Sequence, residues 1–162
     1  MKTILAPVDF SAVSDLVVAE AANLARAFQG RVVLLSVIQP PAIVAEYAPL
    51  MQNIAEITVA GEKAAARKLG AAQQKLQADF IEAETAQLVG SPVQHILAEA
   101  ERVGADYIVM GSHGHTALYD LLVGSTTHGV LMRARCPVII VPAARIRKTP
   151  AKKTTRRAMA LG

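Results

Sequence analysis

The sequence predicts one α/β domain with a parallel sheet that carries helices on both faces. Five short apolar runs alternate with segments in which apolar residues recur at helical spacing, in the order β-α-β-α-β-α-β-loop-α-β. This alternation, with short connections, favours parallel strands joined by crossover helices, a doubly wound arrangement. The chain has 162 residues, 52% of them hydrophobic, which is enough for one domain with a sizeable core.

The first predicted strand covers residues 4–8, a nearly continuous apolar run of the kind that is buried on both faces of a sheet. A helix follows it, because apolar residues recur at helical spacing as far as Phe28. Ser11 or Ser14 can cap the start of this helix, and Gly30 is expected to end it.

The second and third strands differ in character. Residues 32–38 are rich in β-branched residues and predict a buried strand. Residues 80–89 mix polar and apolar side chains, which suits a strand at the edge of a sheet. Between them, prolines favour a loop over residues 39–50, and helical spacing predicts a long helix over residues 54–76.

The second half of the sequence predicts two more helices and two more strands. The serine–proline pair at 91–92 is an N-cap followed by proline at the first helical position, and Gly104 ends that helix. Residues 107–110 form the fourth predicted strand. A short helix is predicted over residues 125–134, and Val138–Val141 is the fifth strand.

The net charge of +4 is divided unevenly along the chain. Residues 1–144 hold ten basic residues against all thirteen acidic ones, a net charge of −3, whereas residues 145–162 hold seven basic residues and no acid. We therefore expect an α/β domain over residues 1–142 and a basic, disordered tail over residues 143–162. The tail is either a solvated extension or a weak polyanion-binding segment.

The composition also predicts a cytoplasmic protein. The single cysteine, Cys136, excludes an internal disulfide and fits a reducing compartment. No run of about 18 apolar residues that could span a membrane occurs in the sequence. The apolar run at the N-terminus is too short for a signal peptide.

The most informative motif follows the fourth predicted strand. Gly111, Gly114, Gly124 and Ser125 form the pattern G-x2-G-x9-G-S between that strand and the next helix. Glycine tolerates positive φ and lets a ligand approach the backbone closely. Amides in turns and at helix starts bind anions. The motif therefore predicts a phosphate cradle and a bound nucleotide.

Two further residues lie at the ends of strands that would finish beside this loop. In doubly wound sheets, ligands bind beyond the carboxyl ends of the strands, at the point where the strand order reverses. If the first and fourth strands are neighbours, Asp9 faces the Gly111–Ser125 loop. Its carboxylate could accept ribose hydroxyls or help hold a metal ion, or it could only cap the first helix. Val37 could offer backbone groups to an adenine edge, and Thr126 a hydroxyl beside that of Ser125.

Other phosphate and metal motifs are absent from the sequence. There is no P-loop, because no glycine is followed by lysine, and there is no G-x-G-x-x-G. His113 and His115 have the wrong spacing and position for the H-x-G-H motif of adenylyl-transferring enzymes. They are two apart with no evident third ligand, so solvated loop histidines are favoured over a metal pair.

These residues resemble the bacterial universal stress protein family. The resemblance covers residues 1 to about 142 and is carried by four segments: ILAPVDFS, LLSVI, LVGSPVQHILAEAERVGADYIVMGSHGH and LLVGSTTHGVLMRARCPVIIVP. The last two contain the nucleotide motif of the family in full. The basic tail lies outside the resemblance.

The resemblance implies a sheet of order 3-2-1-4-5, a homodimer, which we expect to form through strand five, Val138–Val141, and a bound ATP, with Mg²⁺ as its expected counterion. The residues expected to line the nucleotide site are named from their positions in the matching segments. They are Pro7, Asp9, Val37, Met110, Gly111, Gly114, Gly124, Ser125 and Thr126. No protein-only metal site is expected, although Asp9 could contribute a ligand.

Three functions stay open on the sequence. The first is a nucleotide-binding regulatory protein whose conformation or dimer responds to ATP. The second is a slow ATPase or autophosphorylating enzyme, although no catalytic lysine or arginine finger is evident near the loop. The third is a protein-interaction module with an empty site.

Overall fold

The computed structural model describes residues 1–39, 51–112 and 124–142. Five parallel strands form one sheet in the order β3-β2-β1-β4-β5, which confirms the predicted fold class and strand order. The elements in chain order are β1 Thr3–Pro7, α1 Ser14–Phe28, β2 Arg31–Ile38, α2 Met51–Ala78, β3 Glu82–Val89, α3 Pro92–Val103, β4 Tyr107–Gly111, α4 Ser125–Leu131 and β5 Val138–Val141.

The core consists of two apolar layers, one on each face of the sheet. Successive residues of the central strands belong to opposite layers: Ile4 packs with α1 and α2, whereas Leu5 packs with α3 and α4. Both side chains are fully buried. A sheet covered on both faces explains why the central strands are apolar throughout rather than alternating.

The strand register leaves a gap at the carboxyl edge of the sheet. β1 pairs with β2 only as far as Pro7 opposite Leu35, although β2 continues to Ile38. β1 and β4 share the register pairs Ile4–Tyr107 and Leu5–Ile108 and then diverge. α1, which follows β1, packs on one face of the sheet, whereas α4, which follows β4, packs on the other. The strand order reverses between β1 and β4, where a doubly wound sheet has its crevice.

The ends of α1 differ from the predicted caps. Neither Ser11 nor Ser14 caps the helix with its side chain; Val13 occupies the N-cap position and Ser14 is the first helical residue. The left-handed residue at the C-terminus is Gln29, with φ 48°, rather than Gly30. Gly30 is required for a different reason, because a Cβ atom there would lie 2.4 Å from the Lys2 carbonyl oxygen.

Other element boundaries also differ from the predicted ones. β3 begins at Glu82, and Phe80 lies in the preceding turn, 99% exposed with φ 59°. α2 starts at Met51, before the first predicted helical residue, and α4 ends at Leu131, before residue 134. The predicted loop lies outside the described residues from position 40 onward. No helix within the described ranges has the length and apolarity to cross a membrane.

Candidate functional site

A cavity of about 480 Å³ occupies the crevice between β1 and β4. The structure brings eight of the nine sequence-predicted site residues to its wall: Pro7, Asp9, Val37, Met110, Gly111, Gly124, Ser125 and Thr126. The ninth, Gly114, lies outside the described residues, as do His113 and His115. The volume falls within the range of about 300–1,000 Å³ that is usual for small-molecule sites.

Asp9 lies at the cavity wall two residues after the end of β1 and is exposed. Its Oδ1 atom accepts hydrogen bonds from the Ser11 amide, at 3.0 Å, and from the Ser14 hydroxyl, at 3.1 Å. The carboxylate therefore organises the turn that leads into α1 and also borders the cavity. The helix-start role and the cavity position, which the sequence left as alternatives, are compatible.

Val37 lies on the part of β2 that outruns β1. The Leu35 carbonyl accepts from the Val8 amide at 2.8 Å, so Leu35 turns its backbone groups toward β1. Backbone direction alternates along a strand, so Val37 turns its N–H and C=O the same way. In the register, β1 ends at Pro7 opposite Leu35, and both Val37 groups therefore point past the end of β1 toward the cavity.

Hydrogen bonds tie the start of α4 to the end of β4. The Thr127 hydroxyl donates to the Gly111 carbonyl at 2.9 Å, and the Gly124 amide donates to the Ser112 carbonyl at 2.8 Å. The His128 amide donates to the Gly124 carbonyl at 2.8 Å, the first intrahelical bond of α4. These bonds hold the glycines at 111 and 124 on adjoining parts of the wall.

The structure corrects the argument for Gly124. Its φ is −57° and its ψ is 153°, so no left-handed backbone requires glycine there. Its own amide donates to the Ser112 carbonyl. The remaining reason for glycine in the predicted cradle is the absence of a side chain, which leaves the adjoining wall open to a ligand.

The described part of the wall carries little formal charge. Among the described lining residues, Asp9 is the only one with a formal charge. Away from the wall, hydrogen bonds from Arg102 lower the pKa of the Glu99 carboxyl, and a hydrogen bond from Lys2 lowers that of Asp106. Burial raises the pKa of the Cys136 thiol. The described residues contain no cluster of three His, Cys, Asp or Glu side chains that could hold a metal alone.

Sequence reasoning missed the apolar side walls of the cavity. They come from the helix faces and the linking turn that flank the crevice: Phe10, Val13, Val17, Pro92 and Ile96. The signal at Pro92 was available, since a helix that follows a parallel strand starts at its carboxyl end. The others depend on how α1 and α3 pack on the sheet, which periodicity does not specify.

Comparison with known proteins identifies the same kind of domain. The sequence model of the universal stress protein family matches residues 1–142. Universal stress protein MJ0531 of Methanocaldococcus jannaschii is 32% identical over 142 residues, 86% of this chain and 81% of that protein. Universal stress protein MJ0577 of the same organism is 44% identical over 54 residues, one third (33%) of each chain.

Solved structures agree. UspA from Lactobacillus plantarum superposes with a TM-score of 0.77 at 28% identity, covering 86% of this chain and 97% of that one. A universal stress protein in complex with cAMP has a TM-score of 0.66 at 23% identity, covering 88% and 98%. The Archaeoglobus fulgidus protein in complex with dAMP has a TM-score of 0.56 at 24% identity, covering 86% and 97%. At the low identities of the cAMP and dAMP complexes, the likeness shows a shared fold alone.

Proposed function

The chain belongs to the universal stress protein family, and we propose that it is a nucleotide-binding regulatory protein, with ATP and Mg²⁺ as its ligand and a change of conformation or dimerisation as its output. The observation that carries this proposal is the cavity at the reversal of the strand order. It is large enough for a nucleotide and is bordered by Asp9, Val37 and the two ends of the glycine motif.

The chemistry of the wall supports an adenine nucleotide lying across the crevice. The Val37 N–H and C=O offer one donor and one acceptor, which match the N1 and N6 edge of adenine. The Asp9 carboxylate can accept hydrogen bonds from ribose hydroxyls. Ser125 and Thr126 supply hydroxyl donors where the phosphates would lie. The cAMP and dAMP complexes of two proteins with the same fold support adenine as the base.

Magnesium fits the charge balance of the proposed ligand. The described wall offers no lysine or arginine to a triphosphate. Mg²⁺ is usually held by one or two carboxylates together with substrate phosphates. Asp9 can supply one such carboxylate.

The proposed dimer uses the outer edge of β5. The Ser112 amide donates to the Val141 carbonyl, and the Ile108 amide donates to the Pro137 carbonyl. Pro137, Ile139 and Val141 therefore turn their backbone groups toward β4. Val138 and Ile140 therefore turn their backbone groups to the open edge. All four β5 side chains are only half-buried, and an apolar open edge favours pairing with a second copy.

The experiment that tests the proposal is mass spectrometry of the small molecules released when the purified full chain is denatured. We expect an adenine nucleotide in stoichiometric amount. An ATP turnover assay on the same sample separates regulation from catalysis. Turnover in the range of about 1–100 s⁻¹ that is lost in Asp9→Asn would favour an enzyme instead. No released nucleotide and no uptake of added ATP would favour an interaction module.

A further inference from the structure

Phe10 is held in a backbone conformation that its side chain disfavours. Its φ is 60°, in the left-handed region where a bulky residue is a genuine outlier. Two other non-glycine residues among those described have positive φ, Gln29 and Phe80. Both follow the ends of helices, where a left-handed residue is common. Phe10 instead follows a strand and lies between Asp9 and α1.

The ring of Phe10 is fixed from two sides. It packs, partly buried, against the apolar layer beneath α1 and α2. The Lys68 ammonium of α2 lies 5.2 Å from the ring centroid, a cation–π contact. The same residue lines the cavity. Glycine would adopt this backbone without strain, so the aromatic side chain has to be explained by what it holds.

We propose that Phe10 is a positioning residue of the site: anchored by Lys68, its ring fixes the turn that presents the Asp9 carboxylate to the cavity. The turn carries two bonds to Asp9 Oδ1, from the Ser11 amide and the Ser14 hydroxyl, and the Ser14 amide donates to the Ser11 carbonyl at 3.0 Å. The effect of this turn on ligand binding rests on the proposed nucleotide function. The role of Phe10 in fixing the turn is independent of that function.

The first test needs no ligand. Amide hydrogen exchange is followed by NMR in the full chain for Phe10→Gly, which removes the ring and suits the backbone, and Phe10→Tyr, which keeps the ring. We expect the Ser11 and Ser14 amides to exchange at least about fivefold faster in Phe10→Gly and within about twofold of wild type in Phe10→Tyr. The Val17 amide donates to the Val13 carbonyl at the start of α1, and its exchange rate should stay unchanged.

Lys68→Met keeps the aliphatic stem and removes the charge. It should accelerate the exchange of the same two amides about two- to fivefold, as expected for a partly exposed cation–π contact. The matched control is Lys75→Met, an exposed lysine two turns further along α2. Unchanged Ser11 and Ser14 exchange in Phe10→Gly, or equal acceleration at Val17, would overturn the positioning role.

The second test uses ATP with Mg²⁺ as the probe. Phe10→Gly should bind it at least about tenfold more weakly, with recovery in Phe10→Tyr. If Phe10 acts through Asp9, the double variant with Asp9→Asn should be no weaker than Asp9→Asn alone. Losses that multiply would overturn the route through Asp9. Wild-type protein that binds no nucleotide would refute the proposed function, while the exchange data would still decide the positioning role.

Discussion

Thr127→Val tests the tie between β4 and α4. Thr127 is 5% exposed and its hydroxyl donates to the Gly111 carbonyl at 2.9 Å. Valine has nearly the same shape, so the substitution removes a hydrogen bond without opening a void. A neutral hydrogen bond contributes about 0.5–1.5 kcal/mol net, and water in the cavity can reach the released carbonyl. We expect the free energy of unfolding to fall by about 1 kcal/mol.

The assay is thermal unfolding without nucleotide, with Thr126→Val as the matched control. A loss of about 1 kcal/mol lowers the Tm of a chain of this size by roughly 2–4 °C. The structure gives the half-buried Thr126 hydroxyl no partner among the described residues, so Thr126→Val should change stability by less than about 0.5 kcal/mol. Equal Tm values for both variants, or no loss in Thr127→Val, would refute the assignment.

Three further predictions concern the dimer, the tail and pH. Ile140→Lys should shift the protein toward monomer in sedimentation, with Leu16→Lys on the exposed face of α1 as control; a wild-type monomer at high micromolar concentration would rule the dimer out. Deleting residues 145–162, with seven basic residues, should leave ATP affinity nearly unchanged at two salt concentrations, since the described cavity residues precede Pro142; a large loss that persists at high salt would contradict this. The lowered pKa of Glu99 means that its stabilising contribution is present above its ordinary pKa of 4.5 and is lost as pH falls through the lower folded value. The stability difference between wild type and Glu99→Gln should therefore shrink below pH 4.5, and a constant difference in urea unfolding would contradict it.

The strands and their order were the most predictable part of the fold. β5 has the predicted bounds because a continuous apolar run between a turn and a proline leaves little choice. Phe80 was wrongly assigned to β3 since an apolar residue beside a strand looks like its first member; the structure leaves it exposed in the turn after α2. Burial depends on what packs above a residue, which local pattern cannot specify.

For two glycines, the backbone geometry differs in part from the reasoning that the sequence allowed. Gly30 was predicted as a helix stop, yet glycine is required there by the approach of the carbonyl of Lys2, the residue before β1. Of the two reasons that the sequence offered for the glycines of the motif, Gly124 does not use positive φ, and close approach of a ligand stays a prediction. The Lys2–Gly30 approach joins parts of the chain that are distant in sequence, which a local pattern cannot specify.

The site could be predicted where it depends on strand ends. Parallel strands bring their carboxyl ends to one edge, so Asp9, Val37 and Gly111 meet there whatever the side-chain packing. Phe10 and Ile96 could not be predicted because their place on the wall depends on how α1, α2 and α3 pack on the sheet.

The most direct test of nucleotide binding is a calorimetric titration of ATP with Mg²⁺ into the full wild-type chain and into Gly124→Val. The φ and ψ values of Gly124, −57° and 153°, are open to valine, so the variant should fold, which circular dichroism can check. Its branched side chain would fill the wall where we expect the phosphates. We predict saturable binding to wild type and no detectable heat with the variant. Absence of binding to wild type, or equal binding to a folded Gly124→Val, would contradict the account.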